Sequence, residues 1–417
     1  MPEHVLIVGP GRDFPARLRA AAPGTETTVI CQVDFLGKVR DPGKNARVLG
    51  ARGDAPEEWV ALAAAAHAQH PFTRIATFGE RDQDHYAAIA EALGLAAHSP
   101  RTVELVHDKG RMRERLREAG IDSTASAQVA DAAGLLAFVR AHGLPCVVKP
   151  VSSSGSAGVT KVSAEAELAG AFERADGSYL GLGHSGVLVE EYLEGPQYSV
   201  EAFSEAGEHQ VVGITLKYSD PVGFVELGHV SPAPLAPGRA EEVHAYVGQV
   251  LDALGVANGP THSEIVLTTK GPRLIETHVR MGGDHIPVIT REATGVDIDD
   301  CAVRQTLGET VLPGVRAALA EGGEARSAAI WFGALATAGV LDGVSGLAEA
   351  GELPGVTEVA VLAKPGAKVG GLHHSESRVA YARAVGPTPE EAVAVARAAV
   401  ARLEFTVRAR CEAGATV

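Results

Sequence analysis

The chain has 417 residues, 46% of them hydrophobic, and a formal charge of -15. That length fits roughly two to four folded domains, the hydrophobic content excludes a disordered chain, and the acidic balance argues against general binding to nucleic acid or an anionic membrane. Only nine of the 37 basic residues are lysine, so a lysine inside a motif carries weight.

The apolar run at 5–8 is too short for a secretion signal and has no basic leader. No run approaches the ~18 apolar residues of a membrane span. Cys31, Cys146, Cys301 and Cys411 form no C-x-x-C pair, so isolated thiols in a cytoplasmic protein are expected. Strands at 5–8, 28–31 and 74–78 alternate with helices at 57–70 and 84–93. This pattern predicts a parallel α/β sheet over residues 1–100. Gly9-Pro10-Gly11 follows the first strand but lacks the third glycine of G-x-G-x-x-G. Pro15 also lies where a helix should run, so a plain strand–helix turn is the reading there.

A charged helix over 102–119 opens the second unit. Strands at 146–150 and 158–163, a helix at 165–174, and strands at 187–192 and 198–204 follow. A Pro/Gly-rich passage covers 219–238, then a helix at 241–254 and strands at 263–268 and 272–277. Beyond residue 320, strands at 328–332, 356–362 and 378–385 and a helix at 389–403 make a smaller α+β unit. The expected domains are 1–100, 101–320 and 321–417.

Three segments concentrate chemistry. In the first, Lys149 ends an apolar strand and the turn Ser152-Ser153-Ser154-Gly155-Ser156 follows. Small residues let backbone N–H groups approach a polyphosphate, and the lysine adds a point charge. A hairpin turn with a surface lysine is the plainer alternative. In the second, Val189-Glu190-Glu191-Tyr192-Leu193 runs into a Gly-Pro turn and Gln197. Such carboxylates and exposed backbone suit a base edge and hydroxyls, or simply an acidic hairpin. In the third, two short strands flank the turn at 269–272 and carry Glu264 and Glu276, followed by His278 and Arg280. A symmetric hairpin places both glutamates on one face, where a divalent cation would balance them. Solvated strand charges are the alternative.

In order and spacing, these segments resemble the ATP-grasp superfamily of carboxylate–amine ligases. The stretch Phe224-Val225-Glu226-Leu227-Gly228-His229 and the run Gly282-Gly283-Asp284 are most similar to the L-amino-acid ligase and carnosine synthase branch. The resemblance covers nearly the whole chain. It implies an α/β fold with a Rossmann-like N-terminal domain, a central ATP-grasp domain and a C-terminal α+β lid.

The same resemblance assigns roles. Lys109 and Lys149 would contact the phosphates of ATP, and Ser153, Ser154, Gly155 and Ser156 would cover them. Glu190 would accept from the adenine amino group, the backbone of Glu191 and Leu193 would complete base recognition, and Gln197 would meet the ribose. Glu264 and Glu276 would bind Mg²⁺, with Mn²⁺ as an alternative. Arg280 would stabilise the transferred phosphoryl group. Glu226 and His229 would lie by the amino-acid substrates, and Gly283 would approach the reacting carboxylate.

Two positions depart from the pattern: Gln197 replaces a frequent glutamate, and His278 replaces a common asparagine at a metal position. A histidine is a softer ligand than an amide oxygen, so a phosphate-facing role for His278 stays open beside ligation. The implied activity joins one amino acid's carboxylate to another's amine through an acyl-phosphate, in specialised-metabolite biosynthesis. A homodimer acting on small amino-acid substrates is implied too. A biotin-dependent carboxylase, a purine-pathway ligase and a non-catalytic nucleotide-binding regulator remain alternatives.

Overall fold

The computed structural model describes residues 3–409 apart from 153, 154, 156, 178–185, 222 and 322–325. The N-terminal sheet is parallel, in the order Arg47–Ala51, Glu26–Gln32, His4–Val8, Arg74–Thr77. His4–Val8 is buried along its whole length, as a central strand covered on both faces must be. The strand Arg47–Ala51 was not anticipated, whereas the helix Phe14–Ala21 follows the expected strand–helix turn. Pro15 falls in the first turn of that helix, where a missing N–H costs nothing.

The expected helix over 102–119 is two helices, Pro100–His107 and Lys109–Glu118. Asp108 breaks it with extended backbone, and its side chain accepts from the Arg111 amide at 3.0 Å. Aspartate suits this capping role better than a helix interior. The break puts Lys109 at the first position of a new helix, and Arg113 lies one turn further on the same face.

Three antiparallel sheets follow: a small C-terminal one in the order Lys368–Val369, Gly339–Ser345, Glu404–Arg408, and two that frame the site. The smaller of these two has the order Ser126–Val129, Val187–Glu191, Cys146–Pro150, Thr160–Val162. Helices Ala132–His142 and Leu168–Ala175 share its apolar core. The larger has eight strands, in the order Gly271–His278, Gly259–Thr268, Gln197–Glu205, Glu208–Ser219, Glu226–Ser231, Ser327–Gly333, Ala380–Gly386, Val356–Val361. It runs without a break across the expected boundary at 320. Helix Arg239–Leu254 buries Val243, Val247, Val250 and Leu251 in one core with Val200, Ile265 and Leu274 of that sheet.

The strand Glu226–Ser231 lies inside the passage read only as Pro/Gly-rich, and it carries Glu226 and His229. Gly228, between them, packs against the next strand. A Cβ there would overlap the Trp331 ring and come within 2.7 Å of the Ile330 carbonyl oxygen. Gly228→Ala should therefore cost about 1–3 kcal/mol by overpacking. A urea midpoint that does not move would contradict this packing.

Candidate active site

The four-stranded and eight-stranded antiparallel sheets face each other across a cleft. Lys109, Lys149, Gly155, Glu190, Glu191, Leu193, Gln197, Glu226, Glu264 and Glu276 all line it, so the residues expected to hold ATP and metal converge. Ser153, Ser154 and Ser156 lie outside the described residues.

Register explains the acidic pair. Glu264 stands directly opposite Glu276 in the hairpin, with a bulge just after Glu264. Each carboxylate already faces a lysine: Glu276 lies 2.9 Å from Lys109 Nζ, and Glu264 lies 2.6 Å from Lys217 Nζ. Burial opposes ionisation of both glutamates, but those lysines, with His278 beside Glu276 and His262 beside Glu264, hold them far below the usual carboxylate range. Lys217 also reaches Glu226 at 3.3 Å. Burial works against its charge, and Glu264 and Glu226 outweigh it, raising its pKa. Lys109, Lys149 and Lys217 are the buried lysines among the described residues.

On the opposite wall, Lys149 Nζ lies 2.6 Å from Glu190. Glu190 also receives Arg113 through Nε at 2.7 Å and Nη2 at 3.2 Å. Despite burial, Arg113 and Lys149 hold its pKa down at about 2. Both carboxylate oxygens are thus engaged by cations, whereas an adenine amino group had been expected as their partner.

His278, Arg280, His229 and Gly283 do not themselves line that cleft, and Arg280 borders a second cavity beside Val279 and Met281. His278 touches Glu276 at 3.2 Å and Glu80 at 2.8 Å. Arg280 pairs with Glu80 at 2.6 Å. His229 is buried, and its Nε2 lies 3.2 Å from Asp284, which Arg378 clasps with two bonds of 2.6 Å. Glu226 accepts from Ser375 at 3.1 Å. Gly283 has open space where a side chain would stand, so its backbone can approach a substrate closely.

Behind Glu264 lies a pair that sequence reasoning missed. Glu201, fully buried, meets His262 Nδ1 at 2.5 Å and accepts from the Gly282 amide at 3.2 Å, while His262 Nε2 lies 3.4 Å from Glu264. A Cβ on Gly282 would sit 2.8 Å from His262, so glycine is needed for this approach. Burial opposes a charge on His262, but Glu201 and then Glu264 raise its pKa to about 9. Because the folded value exceeds the ordinary 6.5, the associated stability is complete below about pH 6.5 and is lost as pH rises through about 9. His262→Gln should flatten this loss. If wild type and variant lose stability in parallel between about pH 6 and about pH 10, His262 is not the group responsible.

Lys217, Glu80, Arg113, Asp284 and Arg378 were missed as well. Lys217 ends a strand as Lys149 does, and that was the available signal. Glu80 follows the strand Arg74–Thr77 at the carboxyl end of a parallel sheet, where α/β folds gather ligand groups. Arg378 carried no local signal, because only the tertiary fold brings it to Asp284.

A family model for the ATP-grasp domain matches residues 142–288. One for L-amino acid ligase C-terminal domain 2 matches residues 331–408. The uncharacterized protein y4rH of Sinorhizobium fredii is 28% identical over 324 residues, 76% of this chain and 65% of that protein. Alanine–anticapsin ligase of Bacillus subtilis is 25% identical over 232 residues, 51% of this chain and 49% of the relative. The chain thus spans about half to two thirds of the length of these curated relatives. The crystal structure of an L-amino acid ligase from Bacillus licheniformis superposes with a TM-score of 0.81 at 22% identity, covering 97% of this chain and 99% of that one. That likeness is one of fold. No described helix is long and apolar enough to cross a membrane.

Proposed function

We propose a reaction from the premise that the chain belongs to the ATP-grasp family, has its mixed α/β fold and carries an L-amino acid ligase C-terminal domain. The reaction is ATP-dependent ligation of one amino acid's carboxylate to the amine of another, giving ADP and phosphate. The observation that carries it is the registered pair Glu264 and Glu276 in a cleft that also holds three buried lysines.

That donor set fits a hard divalent cation. Both carboxylates lie at opposed positions, both are held ionised, and oxygen is the donor that Mg²⁺ prefers. Glu264 and Glu276 would hold Mg²⁺ or Mn²⁺, which when bound neutralises charge on the phosphate oxygens. His278, already touching two carboxylates, serves as a cation beside the metal carboxylates.

In the first step a carboxylate oxygen of the donor amino acid attacks the γ-phosphorus, and ADP leaves with the bridging electrons. Lys109, Lys149 and Lys217 lie in the cleft and supply positive charge to the transferring group, and Arg280, linked to His278 through Glu80, adds to it. Glu226 holds a substrate ammonium, and the Gly283 backbone lies against the reacting carboxylate. In the second step the acceptor amine attacks the acyl carbon. The C–O bond to phosphate breaks, and the amine loses a proton. Ser375 and Arg378 reach the cleft from the C-terminal domain through Glu226 and Asp284, and they would keep water from the acyl-phosphate.

Isotope transfer tests this route. With ¹⁸O in the donor carboxylate, one labelled oxygen should appear in the phosphate released. Unlabelled phosphate accompanying amide product would rule out the acyl-phosphate. A place in specialised-metabolite biosynthesis is favoured by the similarity to alanine–anticapsin ligase.

A further inference from the structure

We propose that Arg113 is a positioning residue for the nucleotide: it holds Glu190, and through Glu190 it holds Lys149, against the phosphate side of the cleft. This rests on the reading of that cleft as an ATP site.

The chain of contacts is continuous. Arg113 lies on the helix Lys109–Glu118, one turn after Lys109, with its side chain 2% exposed. Its guanidinium grips Glu190 with Nε and Nη2, and Nη2 also donates to the Ile275 carbonyl at 3.3 Å. The planar fork fits a carboxylate with both arms, which a lysine cannot do. Glu190 in turn holds the Lys149 ammonium at 2.6 Å. Strand pairing makes this contact natural. Val147 stands opposite Glu190 and Lys149 opposite Leu188, so Lys149 and Glu190 are diagonal neighbours on one face. Arg113 Nη1 lies 3.9 Å from Asp122, which accepts from Tyr246 and from the Leu274 amide. Arg113 thereby ties the smaller sheet to the strand that carries Glu276.

Arg113 itself does not line the cleft, whereas Glu190, Lys149 and Ile275 do. A long, flexible lysine gives up more rotamer freedom on being fixed than a short side chain does, so a fixed partner is what holds it in place. With both Glu190 oxygens engaged, the adenine edge is left to the main chain at Glu191 and Leu193. The arrangement therefore separates base recognition from phosphate recognition. A purely structural buried ion pair would make no such separation.

Calorimetric titration of ADP and of adenosine into the full chain tests this. Arg113→Met should weaken ADP binding by about tenfold or more and leave adenosine within about twofold or tighter. Lys149→Met should show the same split. Glu190→Gln should show it too, and the double variant R113M/E190Q should be no worse than the weaker single variant, because both act through one contact. Arg113→Lys, which keeps the charge but not the fork, should fall between. If Arg113→Met does not fold, Arg113→Lys and Glu190→Gln must show the split in its place. Unchanged ADP affinity in a folded Arg113 variant would overturn the proposal, as would equal losses for ADP and adenosine. Wild-type protein that binds neither ligand would instead reject the ATP reading.

Discussion

Glu276→Gln should reduce turnover by on the order of a thousandfold while leaving the fold in place. The amide matches the carboxylate in shape, so packing in the hairpin is unchanged. What changes is charge. Glu276 balances Lys109 at 2.9 Å and His278 at 3.2 Å, and it stands opposite Glu264. Without it the cation site has one ionised oxygen ligand fewer, and Lys109 loses its nearest counter-charge. Lys109 is also under the influence of Glu80 and Glu190, so the helix it begins keeps compensation and the chain still folds. Circular dichroism and ADP release measure the two halves. Near-normal turnover in a folded variant would remove Glu276 from the metal assignment.

Lys217→Met should produce the second large effect, on stability as well as on activity. Lys217 is the cation between Glu226 and Glu264, and its side chain is 3% exposed. Methionine fills most of the volume but leaves two nearby carboxylates in repulsion. Losing one partner of a buried ionic cluster costs about 3–5 kcal/mol. Lys217→Arg should restore part of that loss. If the methionine variant melts like the wild type, the two glutamates do not depend on Lys217.

Much of this site was legible in the sequence because its parts are local. Lys149 ends an apolar strand, and Glu264 and Glu276 sit symmetrically about a tight turn. Strand period alone aligned them on one face. The register confirms that pairing, and the bulge after Glu264 is the detail that periodicity could not supply. The split at Asp108 was hidden because charged residues on both sides suit a helix equally well. Its cost was a misplaced start for the helix that carries Lys109. The strand Glu226–Ser231 was hidden by the glycines and prolines around it, although its residues alternate in burial less than an edge strand's would.

What stayed illegible is long-range pairing. Arg113 meets Glu190 across 77 positions, Arg378 meets Asp284 across 94, and Arg280 meets Glu80 across 200. No local period encodes such partners; the sheet order creates them. The same pairings give Glu190 partners that its local sequence does not show: in the fold, Arg113 and Lys149 both contact it.

The full chain with ATP and Mg²⁺ is screened against pairs of amino acids for phosphate release, and products are identified by mass. ADP and phosphate should form only when a competent pair is present, in equal amounts with a product lighter by one water than the two amino acids together. ATP binding with no ADP formed from any pair would contradict amino-acid ligation in favour of a regulatory nucleotide site. Phosphate release that depends on bicarbonate instead of an amine would contradict it in favour of a carboxylase.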